Sequence, residues 1–251
     1  MSGIYSAGHG KYGLSFCCIE FQTIPVQCHG CQILIFGEYG MNYPADNVAV
    51  HKASIRRENV AKILEAAESV FAEKGFKGAS VGLIAERANV PKPNVYYYFG
   101  TKEELYRRVI EDVCSIWLHA ADTFDATNDP ETAIKEYVAS KMDLARQRPN
   151  GSRLWAIEMA SGAPFLVDYL ENTVKPWLIS RERVLEKWIE QGKLKPFNAR
   201  YFFYMVWATT QNYADFESQI NIMNGGTPLS DDQFEDAKKH VVQMILKSAG
   251  I

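Results

Sequence analysis

At 251 residues with 47% hydrophobic content, the chain is long enough to bury a sizeable core and to hold one large domain or two small ones. A formal net charge of −3 excludes a protein that coats nucleic acid indiscriminately, and the longest apolar run on the C-terminal side, 201–208, is far short of the roughly 20 residues a membrane span requires. The charge is unevenly spread: residues 51–110 hold 11 Lys or Arg against 7 acidic residues and residues 111–251 hold 15 against 20, so a small basic face sits on an acidic body.

Residues 1–50 stand apart from the rest. They carry Cys17, Cys18, Cys28 and Cys31, four of the five cysteines, and apolar runs too short for a domain, so they read as a poorly structured extension or an upstream start, with Met41 a natural alternative start. Cys28-His29-Gly30-Cys31 has the gap of a zinc knuckle, which Cys17, Cys18 or His9 would have to complete. A second Cys-x-x-Cys pair or His-x3-His partner is absent, so neither a metal nor a cofactor is expected. The first 20 residues lack the basic start and long apolar stretch of a secretory signal. A cytoplasmic protein with reduced thiols is therefore expected.

The stretch 80–105, SVGLIAERANVPKPNVYYYFGTKEEL, predicts two short helices and the start of a third. Ser80 caps a helix whose apolar positions Val81, Ile84, Ala85 and Ala88 recur at helical spacing; the chain breaks at Asn89, and Pro91 opens the next helix. That second helix ends at Gly100, after which Thr101 caps a third with Glu104 at the capping-box position. Two short helices at a tight turn, the second with polar donors at its N-terminal end, are suited to the major groove of DNA. Val81, Ile84, Val95, Tyr98 and Phe99 are expected in the small core, which leaves Lys92 and Asn94 as base readers. Pro93 falls in the first turn of the second helix, where no intrahelical amide bond is lost.

This segment resembles the DNA-binding domain of the TetR family of dimeric repressors. The carriers are the Phe-x-x-x-Gly-Phe of Phe71 to Phe76, the helix-turn-helix itself, and the Tyr-x-x-Phe-x-x-Lys of Tyr96, Phe99 and Lys102. The resemblance implies an all-α protein, with a three-helix DNA-binding domain over 51–101 and a helical ligand-binding and dimerisation domain over 102–251. It also implies that Lys102 reaches a phosphate and that Ser80, Tyr96 and Tyr97 contact the DNA backbone. A homodimer would read a pseudo-palindromic operator in double-stranded DNA with recognition helices about 34 Å apart.

From Lys102 onward the chain reads as helices over roughly 102–125, 130–147, 151–160, 164–191, 198–223 and 230–249, with Pro176 dividing the fourth. The last two carry apolar residues (Phe202, Phe203, Met205, Val206, Phe216, Ile220; Val241, Val242, Ile245) that a second copy would bury. Trp207, Gln211 and Asp215 fall at i, i+4 and i+8 and form one stripe. Such a stripe either lines a pocket, where a flat ring with alternating carbonyl and N–H groups stacks on the indole, or packs in the core with its polar pair bonded across a dimer.

Residues 207–216, with Ser152-Arg153-Leu154 and Glu158-Met159-Ala160 leading into Gly162-Ala163-Pro164, are similar to the pyrimidine-utilisation regulators within the same family. The similarity implies a pocket of Trp117, Trp207, Gln211 and Asp215, and release from DNA by uracil or thymine. Asn212 departs from the histidine of that pattern. Outside residues 1–50 only His51, His119 and His240 are available, and no Ser-His-Asp order, glycine-rich phosphate loop or convincing carboxylate pair is present, so an enzyme is not expected. The competing class is a helical binding module without DNA activity.

Overall fold

Capping side chains set where many of the helices begin. The Ser80 hydroxyl accepts from the Leu83 amide, Thr101 from Glu104, Asp129 from Thr132, Asn198 from Tyr201 and Ser230 from Gln233, each satisfying an amide with no partner inside its own helix. Thr101 and Ser230 complete reciprocal capping boxes. The computed structural model describes residues 44–251, with side chains from His51 onward, and no strand occurs among the described residues. The expectations placed on Cys17, Cys18, Cys28, Cys31 and His9 lie outside them.

The order is α1 (Pro44–Gly78), α2 (Val81–Arg87), α3 (Lys92–Phe99), α4 (Lys102–His119), a 3-10 turn and α5 (Thr123–Ala126), α6 (Pro130–Gln147), α7 (Pro149–Ala160), α8 (Val167–Tyr169) and a π-helical turn. After these come α9 (Lys175–Glu190), α10 (Ala199–Asp215), α11 (Glu217–Met223) and α12 (Asp231–Ala249). The helix α1 thus reaches back into the stretch read as an extension. It changes direction at Gly75, where φ is 66° and ψ 169°, a conformation that costs glycine little.

Two cores result. Ile63, Val70 and Phe71 of α1 pack with Ile84 of α2, Val95 of α3 and Leu105 and Ile110 of α4, and Leu154 of α7 enters the same cluster. Ile134, Tyr137 and Val138 of α6 pack with Trp188 of α9, Phe203 and Val206 of α10 and Val241 and Ile245 of α12. The helix α7 touches α1, α4, α6 and α10, so it lies between the two cores while its apolar side chains join the first.

Three expectations are corrected. Pro176 does not divide its segment; it lies in the first turn of α9, and the wider π turn over Leu170–Val174 runs straight into it. A proline ring clashes with the carbonyl four residues back in regular α geometry, and the widened turn relieves that clash. The segment 198–223 is two helices, because Phe216, at φ −115° and ψ 29°, leaves the helical conformation. Most of the apolar residues assigned to a dimer face are core of a single chain: Phe202, Phe203, Val206, Val241, Val242 and Ile245 are all buried by α6 and its neighbours. The apolar side chains left exposed on α10 to α12 are Tyr201, Tyr204, Met205, Phe216, Ile222, Met223 and Met244.

Gly151 fixes how closely α7 approaches its neighbours. A Cβ there would meet Val113 Cγ2 at 2.6 Å and Glu68 Oε1 at 3.2 Å. Gly151→Ala is therefore expected to lower stability by about 1–3 kcal/mol through overpacking, read as a lower urea midpoint; an unchanged midpoint would show that α7 is free to back away.

Candidate DNA interface and effector site

The turn between α2 and α3 rests on Asn89, whose φ of 52° is in the left-handed region that asparagine tolerates better than most residues. The Val90 amide donates to the Ala85 carbonyl at 3.0 Å and the Asn89 amide to Glu86 at 3.0 Å, closing α2 before Pro91. Of the residues on α3 only Val95 is fully buried. It anchors the helix to the core, while Lys92 is exposed, Asn94 half-buried, and Tyr96 and Tyr97 are 47% and 76% exposed. The Lys92 ammonium stands 5.9 Å from the Tyr96 ring, one turn away. Ser80, Lys92, Tyr96 and Lys102 line one shallow depression.

Lys102 also has partners within the chain. Its Nζ donates to the Ala79 carbonyl at 2.7 Å and lies 4.6 Å from the Phe76 ring, so it ties the end of α1 to the start of α4. A phosphate could take only the donors that remain.

In the body, α6 links the expected pocket residues. Trp207 donates its indole N–H to the Tyr137 hydroxyl at 3.0 Å and stands beside Trp177 and Tyr204, with ring centroids 6.2 and 5.7 Å away. One turn along α6 from Tyr137, Lys141 places its Nζ 4.1 Å from the ring of Trp117, the other indole of the expected pocket. Trp117 is buried and meets Trp155 edge-on at 5.7 Å. Asp215 accepts from the Ser152 hydroxyl at 2.6 Å. The half-buried Gln211 amide makes no side-chain hydrogen bond among the described residues, so it is free to donate and accept. Asn212, the departure from the family pattern, is exposed.

Burial dominates the electrostatics. It holds the Asp215 carboxyl above the usual carboxylate range, against the opposing pull of Ser152, Lys141 and Arg153. It pushes the Cys114 thiol up to about 12. It draws the Lys141 amine down to about 7, although Cys114 and Asp215 pull the other way. Lys141 and Ser152 were missed as site residues. The signal for Lys141 was present: it interrupts the apolar stripe Ile134, Tyr137, Val138, Met142, Ala145 at a position the period assigns to the core.

Lys141 makes stability depend on pH. Its amine titrates near 7 in the fold and near 10.5 when unfolded, so between those values the unfolded chain binds more protons. The burial cost is full below about pH 7 and fades towards 10.5, and stability rises with pH across that interval. Lys141→Met should raise Tm most at about pH 6 and progressively less towards about pH 10, as read by thermal unfolding; a constant difference would contradict the assignment.

Residues 63–109 match the family described as bacterial regulatory proteins, tetR family, and residues 110–251 match the YcdC-like protein C-terminal region. The chain is 39% identical over 184 residues to the HTH-type transcriptional regulator RutR of Escherichia coli, covering 73% of this chain and 86% of that protein. It is 27% identical to the uncharacterized HTH-type regulator YfiR of Bacillus subtilis over 66% of this chain and 84% of the other. Among solved structures it is similar in fold to the Bacillus subtilis regulator FadR in complex with stearoyl-CoA, at a TM-score of 0.57 and 18% identity over 74% of this chain and 96% of that one. The ketosteroid regulator KstR2 of Mycobacterium tuberculosis gives a TM-score of 0.58 at 21% identity over 75% and 93%. With a helix-turn-helix that presents its second helix outward, a separate helical body, and these matches along its length, the chain belongs to the TetR family of DNA-binding transcriptional regulators.

Proposed function

We propose that the protein is a homodimeric repressor, acting in the cytoplasm on a pseudo-palindromic operator, which a uracil- or thymine-like pyrimidine releases from DNA. The observation that carries this reading is the grouping of Gln211, whose amide is unengaged, with Asp215 and Trp207 along one stripe of α10, beside the buried Lys141 and Trp117. A flat ring with alternating carbonyl and N–H groups matches that set of donors and acceptors. On the DNA side, Lys92 and Asn94 are the proposed base readers, with Tyr96, Tyr97, Ser80 and the remaining donors of Lys102 on phosphates. The exposed apolar residues of α10 to α12 supply a surface for the second copy.

The first turn of α7 is the proposed route between the two sites. Arg148 pairs with Glu68 of α1 and, at 3.1 Å, with Asp112 of α4. One turn later Ser152 holds Asp215. A ligand that donates an N–H to Asp215 draws the carboxylate from its place against Ser152, and a shift of this turn is passed by Arg148 to the helix that positions α2 and α3. A coupling of about 1–3 kcal/mol, roughly 5- to 150-fold in DNA affinity, is enough for regulation.

The test uses a duplex that the protein itself selects from a random pool. Uracil or thymine should weaken binding to it within that range, and Trp207→Ala should abolish release while leaving operator affinity intact. Loss of both in the variant would mark Trp207 as core alone. An operator complex indifferent to both pyrimidines would point to another small heterocycle as the signal.

A further inference from the structure

Six polar or charged side chains are buried among the described residues, and five of them have partners. Glu68 has Arg148, Ser152 has Asp215, Glu158 accepts from the Phe165 amide, Glu182 has Arg200, and Thr210 donates to the Val206 carbonyl. Lys141, 2% exposed, is the sixth: no hydrogen bond or ion pair to its Nζ is formed among the described residues, and the Nζ stands 4.1 Å from the Trp117 ring. A cation resting on an indole recovers only part of the hydration it has lost. An ammonium in that condition keeps donors free for an incoming oxygen.

Its surroundings say what kind of oxygen. The titratable groups that act on it are Cys114 of α4, its thiol held protonated by burial, and Asp215 of α10, with Arg153 of α7 acting on Asp215 in turn. Asp215 gives Oδ1 to Ser152, and its Oδ2 is unengaged among the described residues. The site therefore offers a cationic donor and, within its electrostatic reach, an anionic acceptor.

Resting on the pyrimidine-responsive reading above, we infer that Lys141 is a specificity residue for the effector: its ammonium takes one ring carbonyl, Asp215 accepts the ring N–H beside it and the unengaged Gln211 amide donates to the carbonyl on the other side, so the site selects the imide pattern of uracil and thymine over the aminopyrimidine pattern of cytosine. Cytosine presented by its N3 edge would set an amino group against the ammonium and a bare ring nitrogen against the carboxylate, and presented by its N1 edge it would leave the Gln211 donor facing a C–H. Leaving buried polar groups unpaired in this way is what gives a hydrogen-bonding site its discrimination. The same swap moves Lys141 from an indole face to an oxygen. That raises its proton affinity, so binding takes up protons when the amine is partly neutral beforehand.

The experiment is isothermal titration with uracil, cytosine and glutarimide, an imide that is not a pyrimidine, at about pH 7.5 in two buffers of different ionisation heat. It is run on wild type, Lys141→Met and Lys141→Gln, the last keeping a neutral donor, with thermal unfolding as a check on folding. Wild type should bind uracil at least roughly tenfold more tightly than cytosine, with proton uptake. Lys141→Met should lose roughly tenfold or more in uracil affinity together with the uptake, and Lys141→Gln should recover affinity without uptake. Unchanged uracil binding in Lys141→Met, or cytosine binding as tight as uracil in wild type, would overturn the assignment. Lys141-dependent binding of glutarimide without uracil would keep the imide assignment and sink the pyrimidine reading. Silence of both imides would sink the two together.

Discussion

The close approach of α7 to α1 and α4 is the constraint on which the rest of the molecule depends. It is possible because residue 151 has no side chain: a methyl group there would collide with Val113 and crowd Glu68. At that separation the Arg148 guanidinium reaches Glu68 on one helix and Asp112 on another, and Leu154 enters the core built around α2 and α3. Ser152, on the same turn, faces the other way and holds Asp215. A few consecutive residues thus touch both the helices that carry the reading head and the carboxylate proposed to meet the effector. Because packed interiors do not deform continuously, a change on one side of such a joint is passed on rather than absorbed.

The recognition module was legible in the sequence because local chemistry specifies it. Ser80, Asn89, Gly100 and Thr101 each act through backbone atoms only a few residues away, so reading them in order gives the helix boundaries. What could not be read there depended on distant partners. Lys102 follows the family pattern by position, and its ammonium also meets the carbonyl of Ala79, 23 residues earlier and near only after folding. Phe202, Phe203, Val241 and Val242 were assigned to a second copy because apolar periodicity shows that a face is covered without showing what covers it; α6 does. Lys141 lies between these cases. Its place in the apolar stripe of α6 was readable, whereas its lack of a partner is a property of the folded site.

The buried lysine also shows how stability is exchanged for selectivity. An isolated cation in a protein interior shifts its proton equilibrium towards the neutral form, as the amine of Lys141 does, and the fold is weaker for holding it at neutral pH. The neighbouring carboxyl of Asp215 is moved in the opposite sense by the same burial. Two groups whose ordinary affinities for protons are drawn towards each other are poised to respond to a ligand that satisfies both. Ordinary cores avoid such a pair, and its presence beside Trp117 and Gln211 sets this part of the body apart from the largely apolar cluster of α6, α9, α10 and α12.

The central claim is that the first turn of α7 carries the effect of effector on DNA. The most direct test is the coupling factor, the ratio of operator affinities without and with saturating uracil, measured for wild type and for a double variant, Glu68→Gln with Arg148→Met, which removes the clasp without stranding a buried carboxylate. The account predicts that the variant binds uracil and operator separately with affinities close to wild type, while the ratio falls to about 1. A ratio unchanged from wild type would contradict it and place the connection elsewhere in the fold.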